Sequence, residues 1–185
     1  MERAIAPISA GRMVGTAVTV SFPGGDFTIL HHVAQFLRAG DVLVIERQGD
    51  RVHSCIGGLM THALSRKGVS GIIVDGPACD VSDIRECGLP VWSRGISPLT
   101  TRLLDLGGSF NIDICCGGVV VHPGDVVIGD DDGLLILPRE EARPTIDLAL
   151  ERQDREIQLM REICSGVEVG VLSGASRAVA KSMAE

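Results

Sequence analysis

Short apolar runs that alternate with helically spaced apolar residues are what most constrain the fold of this chain. Val42 to Glu46 (VLVIE) is a nearly continuous apolar run, the pattern of a strand covered on both faces. Met13 to Ser21 (MVGTAVTVS) is rich in β-branched residues and stops at the turn Phe22-Pro23-Gly24-Gly25, so it reads as a strand followed by a break. Between these runs Asp26 can cap a helix over Phe27 to Arg38, where Leu30, Val33, Ala34 and Leu37 fall at helical spacing and Gly40 closes the element. Further on, Gly57-Gly58 opens a helix that carries Met60, Ala63 and Leu64 on one face and stops at Gly68. Gly71 to Val74 then reads as a strand, Val81 to Glu86 as a helical turn and Pro90 to Ser93 as another strand. This β-α-β-α-β succession predicts an α/β core.

Past residue 107 the pattern changes to short β-rich runs: Phe110 to Cys115, Gly117 to Val121, Asp125 to Ile128 and Leu134 to Leu137. Asp132-Gly133 between two apolar runs predicts a tight hairpin. The cluster Asp130-Asp131-Asp132-Gly133 lacks the alternating ligands and closing Glu of a calcium loop, so it reads as a turn. Arg139 to Ser165 is a long helical stretch with Ile146, Leu150, Gln153, Ile157, Met160 and Cys164 spaced as a packing seam, and Glu151 and Arg155 are placed for an i,i+4 pair. At 185 residues one core is expected. The domain is read as residues 1–165, with 166–185 as a small, polar-mixed tail.

The net charge of −7 speaks against nucleic-acid binding, which needs clustered Lys and Arg, and four Phe, one Trp and no Tyr leave no base-stacking platform. Six cysteines without a C-x-x-C pair fit a reduced, cytoplasmic setting rather than a disulfide framework or a zinc site. No apolar run of about 18 residues occurs and the first residues lack an apolar signal segment, so neither membrane spanning nor secretion is expected. A mean hydropathy of +0.27 leans toward an oligomer.

Chemistry concentrates in Gly71 to Asp80 (GIIVDGPACD), a strand that ends in a Gly-Pro turn and leaves Asp75 and Asp80 near its carboxyl end, where α/β sheets bind ligands. On residue types alone, turn and helix N-cap roles are the favoured account of Asp75 and Asp80. Gly57-Gly58-Leu59-Met60 offers free backbone N–H groups at a helix start, which suit a carboxylate. His31, His32, His53, His62 and His122 show no i,i+4 zinc spacing, and Cys115-Cys116 reads as a packed strand end.

The order of phrases resembles the RraA-like / 4-hydroxy-4-methyl-2-oxoglutarate aldolase family. It runs through Val14 to Val20, Ala39 to Val44, Gly57 to Met60, Val74 to Asp80, Pro90 to Gly95, Gly118 to Asp125 and Gly129 to Pro138, and covers roughly residues 7 to 165. The resemblance implies a swivelling β/β/α-type sandwich, assembled as a homotrimer or a homohexamer with sites between subunits. It implies a lyase dependent on Mg²⁺ or Mn²⁺ that acts on small 2-oxo acids such as 4-hydroxy-4-methyl-2-oxoglutarate or oxaloacetate and yields pyruvate. By position, Asp80 would hold the metal, and Gly57, Gly58, Leu59, Met60 and Cys79 would line the substrate. Glu156, donated by a neighbouring subunit, would be the catalytic acid residue.

Two positions depart from the family pattern: Cys79 stands where an Arg is usual, and Gly58 where an acidic residue is usual. Losing charged groups at a site costs about a hundredfold in rate. The family also contains RraA, which inhibits ribonuclease E, so a non-catalytic oligomeric regulator is the alternative. A methyltransferase is disfavoured because no glycine-rich nucleotide loop follows the first strand. Relative to the family the chain begins near the Ile-x-Pro-x phrase, here Ile5-Ala6-Pro7-Ile8, which suggests a shortened or divergent member.

Overall fold

The structure is a computed structural model that describes residues 1–9 and 11–184. Two compact units divide the chain, Met1–Arg139 and Glu140–Glu185.

The first unit is built on four parallel strands: β2 (Met13–Ser21), β3 (Asp41–Glu46), β4 (Gly71–Val74) and β5 (Val91–Ser93). β1 (Ala6–Ser9) extends the β5 edge in antiparallel fashion. β9 (Val126–Asp130) and β10 (Gly133–Leu137) extend the β2 edge, so the sheet runs β1-β5-β4-β3-β2-β9-β10, with β6 (Ser109–Phe110) also paired to β2.

The pleat sends alternate residues of these strands into two cores. Leu43, Ile45, Ile72 and Val74 face a layer of helices: α1 (Thr28–Ala34) through Leu30 and Val33, α2 (Gly58–Ser65) through Met60 and Leu64, and α3 (Val81–Cys87) through Ile84. Val42, Val44, Ile73 and Trp92 face the other way, onto a small sheet of β7 (Ile114–Cys116) and β8 (Val119–Val121), where Ile114, Cys116 and Val121 complete the second core. Each fully buried Val or Ile contributes about 1.5–3 kcal/mol. Both faces of β3 and β4 are therefore paid in apolar contact, and the near-continuous apolar runs of the sequence follow. Gly71 has no side chain because a Cβ there would run into the Met13 thioether. The result is the mixed α/β architecture that the resemblance implied, with helices, a main sheet and a small sheet in three layers.

Three expectations are corrected. The first helix ends at Ala34 rather than Arg38: the Phe36 N–H bonds three residues back to the Val33 carbonyl, and the Asp41 carboxylate takes the Arg38 N–H at 2.7 Å. The run Phe110 to Cys115 breaks at Asn111, whose φ of 52° turns the chain from the main sheet into the small one. In the second unit, the i,i+4 ion pair of α4 (Arg139–Cys164) is Arg143–Asp147, and Glu151–Arg155 is not among the ion pairs of the described residues. The hairpin at Asp132-Gly133 forms as expected, with Gly133 opposite Asp130 and carrying a φ of 143°.

Along α4 the seam residues Leu150, Ile157 and Met160 are exposed on the helix surface. Two short helices follow it, α5 (Val169–Leu172) and α6 (Ala175–Ser182). No helix among the described residues is long and apolar enough to cross a membrane.

Candidate functional site

β3 and β4 end side by side, and the chain leaving β4 forms the loop that carries the site. Ala78 is pinned between Ile56 and Ile96 by isolated bridges, which brings Cys79 and Asp80 to the start of α2. Asp80 is the residue before α3 and adopts a left-handed conformation, φ 52° and ψ 45°, that costs a non-glycine residue on the order of 1 kcal/mol or more. Its carboxylate makes no cap to its own helix. Instead Oδ2 accepts the Gly58 N–H of α2 at 3.1 Å, so the strained backbone aims the carboxylate across at the neighbouring helix start. A Cβ on Gly57 would lie 2.5 Å from this Oδ2 and 2.7 Å from the Cys79 sulfur. Glycine is what allows the two segments to approach.

The first turn of α2 leaves further donors. Thr61 N–H bonds to the Gly57 carbonyl at 3.1 Å and Gly58 N–H goes to Asp80, whereas the N–H groups of Leu59 and Met60 have no acceptor among the described residues. Helix starts in this condition attract anions. Beside them Cys79, Asp80, Val81, Ile96, Ser97, Pro98 and Thr100 line a cavity of about 380 Å³. Burial raises the Cys79 thiol above its ordinary pKa, the adjacent Asp80 adds to this, and a hydrogen bond with Ser54 opposes it. Position 79 thus offers a neutral S–H and no cation.

The site residues expected in the first unit therefore stand together: Gly57, Gly58, Leu59, Met60, Cys79 and Asp80. Glu156 belongs to α4 of the second unit, where it is exposed. Asp75 is a different matter, because its buried carboxylate is consumed by structure. Burial alone would raise its pKa, but Arg94, the Gly117 N–H (2.8 Å) and Arg51 hold it below the ordinary carboxylate range. Of the two carboxylates at the end of β4, only Asp80 remains for a ligand.

Two residues were missed in the sequence. A Cβ on Gly58 would fall 2.8 Å from both Cβ and Oδ2 of Asp83, so the Asp83 carboxylate of α3 occupies the room that a side chain at position 58 would take. His53, which the absence of zinc spacing set aside, is held by Asp50 through Nδ1 at 3.0 Å. The spacing Asp50-x-x-His53 in a loop after a strand was the available signal.

Among the described residues no three His, Cys, Asp or Glu side chains are grouped to enclose a metal. A hard divalent ion that keeps most of its waters needs only one or two carboxylates, and Asp80 in the cavity lining, with Asp83 in the first turn of α3, fits that mode and not a closed zinc or calcium cage.

Fold and site together define an α/β protein with a carboxylate and a free helix start at the carboxyl end of its parallel strands. A sequence model described as RraA-like, Aldolase/RraA, matches residues 1–136, and the chain belongs to that family. A protein of Halalkalibacterium halodurans with the provisional name 4-hydroxy-4-methyl-2-oxoglutarate aldolase is 28% identical over 84% of this chain and 74% of its own length. A protein of Arabidopsis thaliana provisionally named 4-hydroxy-4-methyl-2-oxoglutarate aldolase 3 is 33% identical over 55% of this chain and 60% of its own. Among solved structures, Streptomyces coelicolor RraAS2, described as an unusual member of the RNase ES inhibitor RraA protein family, is 29% identical with a TM-score of 0.74, covering 85% of this chain and 80% of that one.

Proposed function

We propose that this protein is a divalent-metal-dependent lyase acting on small 2-oxo acids, such as 4-hydroxy-4-methyl-2-oxoglutarate or oxaloacetate, with pyruvate as product. The observation that carries this reading is the strained, left-handed Asp80, whose carboxylate takes the Gly58 N–H at the helix start where the N–H groups of Leu59 and Met60 are unpaired among the described residues. Residues held in sparsely populated backbone conformations cluster at active sites and ligand clamps. Asp80 would hold Mg²⁺ or Mn²⁺, and the two N–H groups would bind the substrate carboxylate. Held there, Mg²⁺ or Mn²⁺ would supply Lewis-acid charge stabilisation for C–C cleavage. Asp83 supports the reading by returning a carboxylate to the space beside Gly58, and Glu156 of a neighbouring subunit in a trimer or hexamer would complete the site.

The expected result is pyruvate formation stimulated by Mg²⁺ or Mn²⁺ and abolished in Asp80→Ala. Turnover no higher than that of the metal alone, with both substrates, sinks the proposal.

A second reading is favoured by the neutral thiol at Cys79, which cannot replace a guanidinium: a non-catalytic regulator that binds an RNA-degrading endonuclease, as the inhibitor RraA does. Retention of such an endonuclease on the immobilised protein, unchanged in Asp80→Ala, together with absent turnover, would establish it.

A further inference from the structure

The two side chains that crowd Gly57 are a thiol and a carboxylate. A Cβ at that position would lie 2.7 Å from Cys79 Sγ and 2.5 Å from Asp80 Oδ2, so sulfur and oxygen reach the same point. In an extended chain, successive side chains point to opposite sides. The left-handed backbone of Asp80, φ 52°, breaks that rule and brings both to the start of α2. The strain at Asp80 therefore sets a sulfur and an oxygen donor side by side.

The two donors already touch. Asp80 acts on the thiol through its charge and through a hydrogen bond, in which the Cys79 S–H donates to the carboxylate. A zinc ion bonds sulfur at about 2.3 Å and a carboxylate oxygen at about 2.0–2.2 Å, so one ion in place of the shared proton can reach both. No cation of the protein occupies the carboxylate: Asp80 enters no ion pair among the described residues. Both side chains open on the cavity of about 380 Å³, which has room for an ion and its waters.

The donor set decides which ion. Carboxylate and water suit Mg²⁺ and Mn²⁺, whereas a thiolate favours zinc-like ions. Among the described residues no third His, Cys, Asp or Glu completes a cage, so the remaining positions fall to water, as in an open zinc site.

We propose that Cys79 Sγ and the Asp80 carboxylate together ligate a sulfur-seeking divalent cation of the zinc class, which turns the metal preference of this site away from oxygen-seeking ions. The assignment rests on the lyase reading only in taking Asp80 as a metal ligand. As the sulfur–metal bond forms, the thiol proton passes to the solvent.

Cobalt makes the sulfur visible. The reduced, metal-free full chain titrated with Co²⁺ should develop a near-ultraviolet sulfur-to-cobalt charge-transfer band, and Zn²⁺ should abolish it by displacement. X-ray absorption at the zinc edge should show one sulfur among oxygen ligands. Cys79→Ser should lose the cobalt band and about tenfold or more of Zn²⁺ affinity, while Mn²⁺ affinity, read by calorimetry, stays within about twofold. Asp80→Asn, which keeps a residue tolerant of the left-handed conformation, should lose both ions. A wild type without the band, or a zinc edge without sulfur, overturns the assignment whatever the variants do. So does a band that survives Cys79→Ser, since exposed Cys115 or Cys164 would then be its source, and so does an equal loss of Zn²⁺ and Mn²⁺ in that variant. Absence of Mn²⁺ binding and of turnover with any of these ions sinks the lyase reading alone, because the cobalt band and the zinc edge still decide the Cys79–Asp80 pair.

Discussion

Gly57→Ala is the sharpest perturbation of the candidate site, because nothing about the backbone forbids it. Gly57 has φ −145° and ψ −169°, an extended conformation that alanine adopts freely. The cost is confined to what the new methyl meets: Asp80 Oδ2 at 2.5 Å, Cys79 Sγ at 2.7 Å and the Asp80 carboxyl carbon at 3.3 Å. Real Cβ contacts do not fall below 3.0 Å, so the carboxylate and the thiol must both retreat by several tenths of an ångström. That motion breaks the hydrogen bond from Gly58 and draws the Asp80 carboxylate away from the start of α2. A displacement approaching 1 Å in a reacting site costs on the order of a hundredfold, so a ten- to hundredfold loss of Mn²⁺-dependent oxalate binding and of turnover is expected. Stability should fall by only about 1 kcal/mol, since one hydrogen bond at a helix start is lost and no core contact. Calorimetry with Mn²⁺ and oxalate, beside a thermal melt, reads both quantities. Oxalate binding equal to wild type would refute the placement of the ligand at Asp80, and a collapse of the melt would refute the claim that the close approach serves the site rather than the fold.

Asp75→Asn should lower stability by about 2 kcal/mol, because the mostly buried Arg94 keeps only the more exposed Glu2 carboxylate, a loss that urea unfolding measures. Asp26, Asp50 and Asp75 all have folded pKa values depressed below the ordinary range, so their stabilisation is complete above about pH 4 and is lost as pH falls through the folded values. Acid unfolding should accordingly set in below pH 4, and the gap between wild type and Asp75→Asn should narrow there. Exposed Cys115 and Cys164 should react with a thiol reagent in the native protein, while Cys55, pushed up to about 11 by burial, and Cys116, raised further by burial, should react only on unfolding. Trp92→Ala should destabilise the protein by about 3–5 kcal/mol, read from the urea midpoint, since the indole is fully buried in the core between the two sheets.

Strands and helices were legible wherever pattern is local. The β2 run, the apolar β3 and β4 and the Asp132-Gly133 hairpin come from side-chain alternation and turn chemistry within a few residues. The extent of α1 and the break at Asn111 were not, because each depends on a hydrogen bond or a dihedral angle that composition does not encode. The site divides along the same line. Asp75 and Asp80 have identical side chains near the end of one strand, and nothing local tells them apart. The difference comes from partners far along the chain: Arg51, Arg94 and Gly117 converge on Asp75, whereas Asp80 meets Gly57, Gly58 and the neutral thiol of Cys79 and no cation among the described residues. Gly57 was readable as a helix opening, but its reason, the carboxylate and sulfur packed against its α-carbon, lies across the site. Asp83 beside Gly58 carries the point furthest, since a position that looks emptied in the sequence is filled in space from another helix. Departures at single positions therefore measure the loss of a side chain and not the loss of its chemistry, and by the same token Cys79, on which no cation acts among the described residues, is the departure that should limit turnover under the lyase reading. Cys79→Arg, judged by kcat with Mn²⁺ and oxaloacetate, should raise activity by about tenfold or more, and an unchanged rate would show that the missing guanidinium is not what limits this site.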